Sequence, residues 1–315
     1  MVNLFYIPFF IHLLLIKAMT AATIHHLTFG KMEAQISTLG AECISLKKNG
    51  QEYLWQANPD VWGRHAPVLF PIVGRLKDNQ YTYQGKSYAL GQHGFARDRN
   101  FELTEKTDRQ LTMILRADET SKKVYPFDFE LSIGYSLSET GLNVDYHVHN
   151  PSGEQTLFFS IGAHPGFGCP LEPEKESFSD YQLDFGHKSI TNLPLYTLEG
   201  GLISTKKSSL ALQEGKLNLD YKLFENDALI IDVDPVTTVS VCSLKTGKGF
   251  AMQFSDFKWL GLWTKEKGAK FLCLEPWNGI AATTDHDGTL ENKLGIVQLA
   301  PQASHKASFQ VDLLG

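Results

Sequence analysis

The stretch GLNVDYHVHN, residues 141–150, decides the fold class. Apolar Leu142, Val144, Tyr146 and Val148 alternate in it with polar or charged residues. Because successive side chains of a β-strand point to opposite faces, this period of two predicts a strand that buries one face in a core. Further strands are predicted at residues 34–37, 111–116, 129–135, 156–161, 236–244, 249–254, 260–264, 270–274 and 304–312.

Two short turns join neighbouring strands into predicted hairpins. Asn49-Gly50 lies between two apolar-bearing arms in ISLKKNGQEYLWQ, and Gln84-Gly85 occupies the same place in YTYQGKSYAL. Such dipeptides suit the two-residue turns of β-hairpins. Many short strands separated by turn residues predict antiparallel sheets arranged as a sandwich or a barrel.

A single domain is expected, because no composition shift or low-complexity linker divides the chain. We predict one large antiparallel all-β domain over residues 24–313. No amphipathic segment is long enough to predict a major helix, and one short helix is predicted near residues 120–125. Residues 171–201 are rich in acidic residues and prolines, so we expect a long excursion over the surface there.

Composition excludes several classes of protein. The 315 residues are 43% hydrophobic and 20% charged, which is typical of a globular chain with a large core. A net charge of −6 and the lack of a basic run argue against a nucleic-acid partner. The cysteines are too few for a disulfide framework and too widely spaced for a redox or metal motif. We therefore expect reduced thiols and a cytoplasmic location. The four are Cys43, Cys169, Cys242 and Cys273.

The apolar run LFYIPFFIHLLLI, residues 4–16, complicates that location. It resembles the centre of a signal peptide, but no positive charge precedes it. It is short for a membrane span and contains Pro8 and His12. Met19 offers a later start. We expect residues 1–18 to be an extension outside the fold, with an export signal or an anchor as alternatives, and no stable membrane partner.

Glu275 is the most informative candidate for chemistry. It follows Leu272 and Leu274 in FLCLEPW, an apolar strand that we expect Pro276 to end. A carboxylate among apolar side chains loses solvation, so its pKa should rise towards the value that a general base needs near neutrality. A glutamate that faces solvent, or one paired with an arginine, is the structural alternative.

Two further segments place an ionisable group beside glycine. In IGAHPGFGCP, Pro165 keeps His164 extended, and an imidazole is well suited to donate a proton at neutral pH. In LGQHGFARDRNFEL, the glycine after His93 allows a tight turn from which Arg97 projects. Arg75 ends the apolar run FPIVGRL, and its donor fork suits hydroxyls, carboxylates or phosphate. A backbone-bonded core histidine and surface arginines are the alternatives.

Metal and cofactor motifs are weaker. His147 and His149 share one strand face and His164 could complete a set, but no carboxylate follows at a suitable distance. The segment DHDG, residues 285–288, lacks a full calcium-loop pattern. A phosphate-binding glycine loop, a dinucleotide fingerprint and a serine elbow are all missing from the sequence. We therefore predict no metal site and no cofactor.

Four segments in this order, FPIVGRL, HGFAR, IGAHPGFG and LCLEPWNGIA, resemble the aldose 1-epimerase (galactose mutarotase-like) superfamily, and within it the LacX-like bacterial branch. The resemblance extends from about Ile24 to Asp312. It implies a large β-supersandwich and the interconversion of α and β anomers of a free sugar, with no cofactor and with a small-molecule sugar as the partner.

The resemblance also implies roles for residues. Glu275 would remove the proton of the anomeric hydroxyl, and His164 would protonate the ring oxygen so that the ring opens. His93 and Arg75 would bind sugar hydroxyls. Asp227 is the best match for an aspartate that contacts hydroxyls.

Some positions remain open. Asp232 is a second match for the same aspartate. A sugar face could stack on Trp277, Trp263 or Phe95, although aromatic residues in strands usually belong to a core.

Three other functions remain as alternatives. A hexose-6-phosphate mutarotase would need Arg64, Arg97 and Arg99 to converge within reach of Glu275. A non-catalytic carbohydrate-binding protein would tolerate Glu275→Gln. A glycoside hydrolase or lyase would need paired carboxylates, and the sequence offers one good candidate. The sugar and the oligomeric state do not follow from the sequence.

Overall fold

The computed structural model describes residues 22–265 and 268–315. The predicted extension at residues 1–18 and the alternative start at Met19 lie outside the described residues. The described part contains the strands β1 (Ile24–Phe29), β2 (Met32–Ser37), β3 (Cys43–Lys48), β4 (Gln51–Glu52), β5 (Val68–Leu69), β6 (Gln80–Tyr83), β7 (Lys86–Ala89), β8 (Glu102–Lys106), β9 (Gln110–Arg116), β10 (Glu130–Leu137), β11 (Gly141–His149), β12 (Leu157–Phe159), β13 (Ile161–Ala163), β14 (Gly166–Gly168), β15 (Tyr181–Asp184), β16 (Asn192–Glu199), β17 (Leu202–Ala211), β18 (Lys216–Asn218), β19 (Leu229–Asp232), β20 (Thr238–Ser243), β21 (Gly249–Gln253), β22 (Trp259–Trp263), β23 (Phe271–Asn278), β24 (Val297–Leu299) and β25 (Ser304–Leu314).

Helical structure in the described residues is limited to short 3₁₀ turns. The short helix predicted near residues 120–125 is one of these turns. Within the described ranges, no helix is long and apolar enough to cross a membrane. The turns are Lys77–Asn79, Ala96–Asp98, Ser121–Lys123, Phe178–Asp180, Tyr221–Phe224 and Leu290–Asn292.

Two large sheets dominate the architecture. Nine strands form one sheet in the order β18-β15-β20-β21-β25-β11-β10-β9-β8. The other has the order β17-β16-β19-β22-β23-β13-β5, with β14 also paired to β23. A smaller sheet, β1-β2-β3-β4, and the pairs β6-β7 and β12-β24 complete the fold. Every ladder between these strands is antiparallel, so the predicted all-β antiparallel fold is confirmed.

The strand that decided the prediction lies in the middle of the nine-stranded sheet. β11 pairs with β10 on one side and with β25 on the other. Its apolar residues Leu142, Val144, Tyr146 and Val148 are all buried, as their alternation predicts. Burial of this face against the second sheet fixes the register, because a shift by one residue would expose all four side chains.

Both predicted hairpins are present. β3 and β4 flank Asn49-Gly50, and β6 and β7 flank Gln84-Gly85. All four turn residues have positive φ, between 47° and 78°. This is the conformation of a type I′ turn, whose twist matches that of the flanking strands.

The core lies between the two large sheets. Phe167 on β14 stacks on Phe250 on β21, with the ring centroids 4.1 Å apart. Leu272 and Leu274 of β23 belong to the same buried cluster as Val144 of β11. Since side chains alternate along a strand, Cys273, Glu275 and Trp277 of β23 face away from this core.

The expected surface excursion at residues 171–201 is wrong in part. β15 and β16 lie in this segment; β15 belongs to the nine-stranded sheet and β16 to the other large sheet. Tyr181 and Leu183 of β15 are fully buried. Their alternation spans two apolar positions, which is too short to stand out among the surrounding acidic residues and prolines.

The expectation that Pro276 ends its strand is also wrong. β23 continues to Asn278, and Pro276 lies opposite Leu260 of β22. The N–H of Leu274 donates to Pro165 O at 3.2 Å, so the missing N–H of Pro276 faces the same side of the strand. Ala163 lies opposite Pro276 in this register, and its carbonyl accepts the indole N–H of Trp277 at 3.1 Å instead of a backbone N–H.

Candidate active site

β23 places Glu275 on the face opposite the main core. Leu272 and Leu274 point into the core, whereas Glu275 and Trp277 point to the other side. Gly261 of β22 is paired directly opposite Glu275. A Cβ at Gly261 would lie 2.8 Å from the indole of Trp277, so glycine gives this indole room beside the carboxyl group.

His164 comes from the bend between β13 and β14. Its N–H donates to Pro67 O at 3.0 Å, which fixes the backbone of the bend. The imidazole stacks on Trp62, with centroids 5.0 Å apart and an interplanar angle of 30°. Trp263 approaches the ring edge-on at 5.7 Å. Aromatic rings thus hold the imidazole in a dry environment, and its Nδ1 has no hydrogen-bonding partner.

His164 and Glu275 form a close pair. His164 Nε2 and Glu275 Oε2 are 3.2 Å apart, with side-chain exposures of 12% and 1%. They are not aligned as a hydrogen bond, since Oε2 has no hydrogen-bonding partner. Neither atom is therefore engaged in a hydrogen bond with another side chain.

Burial also sets the ionisation of this pair. It raises the pKa of Glu275 well above its usual value, and the nearby Asp227 carboxylate adds to the rise. Burial lowers the pKa of His164 to about 3, and the positive charges of Arg97 and Arg64 contribute. Burial thus favours the uncharged form of each group, a neutral imidazole and a protonated carboxyl group. The expected rise of the carboxyl pKa is present in the structure.

His93 is fixed by an unusual backbone. Its φ is +66°, and Gly94 follows with φ +68°. A Cβ at Gly94 would lie 2.3 Å from Phe70 O, so only glycine fits. Burial lowers the pKa of His93 and so favours its neutral ring. The N–H of Gly74 donates to His93 Nδ1 at 3.1 Å, so the neutral ring carries its proton on Nε2. The ring lies edge-on to His164 at 5.7 Å.

These side chains meet at a cavity of about 250 Å³. This volume is near the lower end of the range of roughly 300–1,000 Å³ found for small-molecule sites, which suits a single sugar ring. Six of the seven residues predicted from the sequence line it. These six are His93, Arg97, His164, Asp227, Glu275 and Trp277.

The seventh, Arg75, does not line the cavity. Its side chain is exposed and donates to Gly200 O at 3.2 Å. Asp232, the second match for the aspartate, lies outside the cavity and is 3.9 Å from Lys258. Phe95 packs against core aromatics instead of facing a ligand. A strand-end position fixes where a side chain begins but not which way a long side chain extends.

The sequence reasoning missed Trp62 and Gln92, which also line the cavity. Trp62 lies in a loop between β4 and β5, and the Trp55 indole N–H donates to its carbonyl at 2.8 Å. The one indication in the sequence that Trp62 could face a ligand is its place in a loop that also contains prolines and a glycine. Ile230 of β19 forms an apolar part of the cavity wall. The alternation of side chains along a strand does not distinguish such a residue from one in the core.

A cationic edge borders the cavity. Arg64 and Arg97 both line it. Arg64 Nη2 lies 2.8 Å from Asp98 Oδ1, and Arg97 Nη2 donates to Gln92 O at 2.8 Å. Arg97 Nε is buried, has no hydrogen-bonding partner and lies 3.8 Å from Asp98 Oδ2. Arg99 points elsewhere, 3.7 Å from Asp118, so two of the three arginines proposed for a phosphate converge near Glu275.

One group of potential metal ligands stands out among residues 22–265 and 268–315. The ligand atoms of His164, Cys273 and Glu275 all lie within 4.8 Å of one another. His147 and His149 lie on β11 of the other large sheet and are not part of this group. The segment at residues 285–288 forms a turn in which Thr289 N donates to Asp287.

Comparisons with known proteins agree with the resemblance seen in the sequence. A family model described as Aldose 1-epimerase matches residues 23–293. Protein LacX (chromosomal) of Lactococcus lactis subsp. lactis is 34% identical over 290 residues, which cover 90% of this chain and 97% of that protein. The X-ray structure of a galactose mutarotase related enzyme from Lactobacillus acidophilus is 37% identical, with a TM-score of 0.88 over 93% of this chain and 98% of that one. A galactose mutarotase-like protein from Lactobacillus casei ATCC 334 is 28% identical, with a TM-score of 0.85 and coverages of 92% and 100%.

Proposed function

Since the chain belongs to the aldose 1-epimerase family, we propose that it interconverts the α and β anomers of a free aldose by acid–base ring opening and reclosure. The observation that carries this proposal is the buried pair at the cavity wall. His164 Nε2 and Glu275 Oε2 are 3.2 Å apart, and neither is committed to another side chain. Ring opening needs one group that gives a proton and one that takes a proton, and this pair supplies both.

The proton count of the pair suits the reaction. A neutral imidazole with a carboxylic acid holds the same single proton as an imidazolium with a carboxylate. In the second form, Glu275 takes the proton of the anomeric hydroxyl while His164 gives its proton to the ring oxygen. The bond between C1 and the ring oxygen breaks and leaves an aldehyde. Rotation about C1–C2 and reclosure with the roles reversed give the other anomer, with no net proton gained or lost.

The remaining cavity residues support a sugar. The Nε2–H of His93 lies 3.2 Å from the Gln92 amide and can be shared with a ring or hydroxyl oxygen, and Asp227 can accept from hydroxyl groups. Trp62 and Trp263 offer apolar surface to the carbon face of the ring. Positioned proton transfer contributes typically about 10²- to 10⁴-fold to the rate, which is ample for a reaction that already proceeds in water.

Polarimetry tests the proposal. Freshly dissolved α-anomers of glucose, galactose, xylose, arabinose and glucose 6-phosphate are followed with and without protein, in buffer with chelator. We expect faster relaxation of at least one sugar to the same final rotation. No acceleration of any of these sugars by folded protein would overturn the proposal. Sugar binding that survives Glu275→Gln without any catalysis by the native chain would favour a carbohydrate-binding role.

The cationic edge supports a second candidate, the mutarotation of a hexose 6-phosphate. Arg64 and Arg97 can approach an anion from the same side of the cavity. Hydrogen bonds to a charged group contribute about 1.5–3 kcal/mol, or roughly ten- to a hundredfold in affinity. Arg64→Gln should raise KM for glucose 6-phosphate by that factor and leave KM for glucose unchanged. Arg99→Gln is the matched control outside the cavity, and equal effects of both substitutions would reject this candidate.

A further inference from the structure

Cys273 lies two residues before Glu275, so both side chains point to the same face of β23. Gly166 of β14 pairs with Cys273, and the chain two residues before Gly166 carries His164. The strand pairing therefore brings a thiol, an imidazole and a carboxyl group together. Their ligand atoms lie within 4.8 Å of one another.

The distance between His164 and Glu275 matches that of two ligands in a tetrahedral metal centre. Zinc binds histidine nitrogen and carboxylate oxygen at about 2.0–2.1 Å, which places the two atoms roughly 3.3 Å apart in a tetrahedron. His164 Nε2 and Glu275 Oε2 are 3.2 Å apart without being hydrogen-bonded. A sulfur ligand at about 2.3 Å needs a separation of roughly 3.6 Å from each of them, and Cys273 Sγ lies within 4.8 Å of both.

The chemistry of the three groups fits the same cation. Thiolate, imidazole and carboxylate together are typical ligands of Zn²⁺ and of its substitute Co²⁺. Two of the ligands are anionic when bound, so they neutralise a dication, as a buried site requires. Glu275 Oε2 is buried, has no other partner and lines the cavity, so water can fill the fourth position.

We propose that Cys273, His164 and Glu275 form a binding site for a divalent transition-metal cation such as Zn²⁺, and that its occupation switches off the acid–base pair. Binding displaces the thiol proton and the single proton shared by His164 and Glu275, and both protons leave to solvent. The ion then occupies the lone pairs that would exchange protons with a sugar. The inhibition rests on the proposed function, whereas the binding does not.

Cobalt spectroscopy tests the binding without any activity measurement. Co²⁺ is added to reduced, metal-stripped protein, and thiolate-to-cobalt charge-transfer absorption is recorded in the near ultraviolet. We expect saturable absorption at one ion per chain, lost in Cys273→Ala and in Cys273→Ser and unchanged in Cys43→Ala. Cys43 is the matched control, because it is a buried free cysteine in the sheet that contains β3. No absorption by native protein, or absorption that persists in a folded Cys273 variant, would overturn the site.

Zinc titration of the mutarotase reaction tests the switch. We expect Zn²⁺ to inhibit the native protein, with full recovery after chelator is added. Cys273→Ala, compared with its own metal-free rate, should need at least about tenfold more Zn²⁺ for half-inhibition, since even an outer-shell change typically costs 10- to 100-fold in metal affinity. Equal sensitivity of the native protein and the variant would refute the switch. If no sugar is turned over, the proposed function fails and the cobalt measurement still decides the site.

Discussion

Replacement of Glu275 by glutamine separates catalysis from stability. The side chain is 1% exposed, and glutamine has nearly the same shape. The new amide would replace Glu275 Oε2, which lies 3.2 Å from His164 Nε2. Glutamine cannot take the proton of the anomeric hydroxyl. We expect turnover to fall by about 10²- to 10⁴-fold, which corresponds to roughly 3–5 kcal/mol in the activation barrier.

The same substitution should stabilise the protein in a pH-dependent way. An unfolded glutamate titrates near 4.5, and burial raises the pKa of folded Glu275 well above that value. The folded state therefore holds this proton more tightly, and the stabilisation is complete below pH 4.5 and is lost as pH rises through the folded pKa. Glutamine does not titrate. At high pH it removes a buried unpartnered group whose cost is about 1–3 kcal/mol, or more when charged.

Polarimetry and calorimetry at pH 5 and pH 8 measure the two effects. The variant should have a higher Tm than the native protein, by about 2 °C per kcal/mol for a chain of this size, with the larger difference at pH 8. Asp232→Asn is the control, since Asp232 lies outside the cavity. Retention of more than one tenth of the turnover would refute the role of Glu275. A Tm difference that is equal at both pH values would refute the argument from burial.

Three further substitutions test the site and its support. His164→Asn should lose about 10²- to 10⁴-fold in turnover. Because the folded pKa of His164 is about 3, below the ordinary 6.5, the native protein loses stability as pH drops from 6.5, and calorimetry should show a smaller loss in the variant. Gly94→Ala puts a Cβ 2.3 Å from Phe70 O at φ +68° and should cost about 2–4 kcal/mol in thermal unfolding, whereas Gly91→Ala, with nothing within 4 Å, should change stability little. Lys293→Met removes a buried ammonium whose folded pKa is about 7 against 10.5, so the native gain in Tm from pH 7 to pH 9.5 should be absent in the variant.

Much of the fold follows from local pattern alone. The alternation around Val144 and the turns at Gly50 and Gly85 depend on neighbouring residues, and the structure contains the elements that they predict. The pairing of β23 with both β13 and β14 depends on contacts distant in sequence. For that reason the sequence predicted a strand over residues 270–274 that Pro276 stops, whereas β23 continues to Asn278.

The candidate site was predictable where the backbone alone positions the group. Glu275 and His164 occupy positions fixed by strand alternation and by a proline, and the structure places them 3.2 Å apart. Arg75 lies outside the cavity because its long side chain, whose rotation the sequence does not fix, extends to Gly200 O. Trp62 was missed because a loop position has no periodicity from which its direction could be inferred.

Arg64 and Arg97 make the protonation of His164 depend on the charge of the substrate. Burial is the main cause of the low pKa of His164, and the positive charges of Arg97 and Arg64 lower this pKa further, so they too disfavour the imidazolium that must protonate the ring oxygen. A neutral sugar leaves this repulsion in place, and catalysis then draws on the less stable, charge-separated form of the pair. An anionic group bound between the arginines offsets their charge and shifts the shared proton from Glu275 towards His164. A phosphorylated sugar would thus be bound by groups whose charge otherwise contributes to keeping His164 neutral. For such a substrate, Arg64 and Arg97 should affect kcat as well as KM.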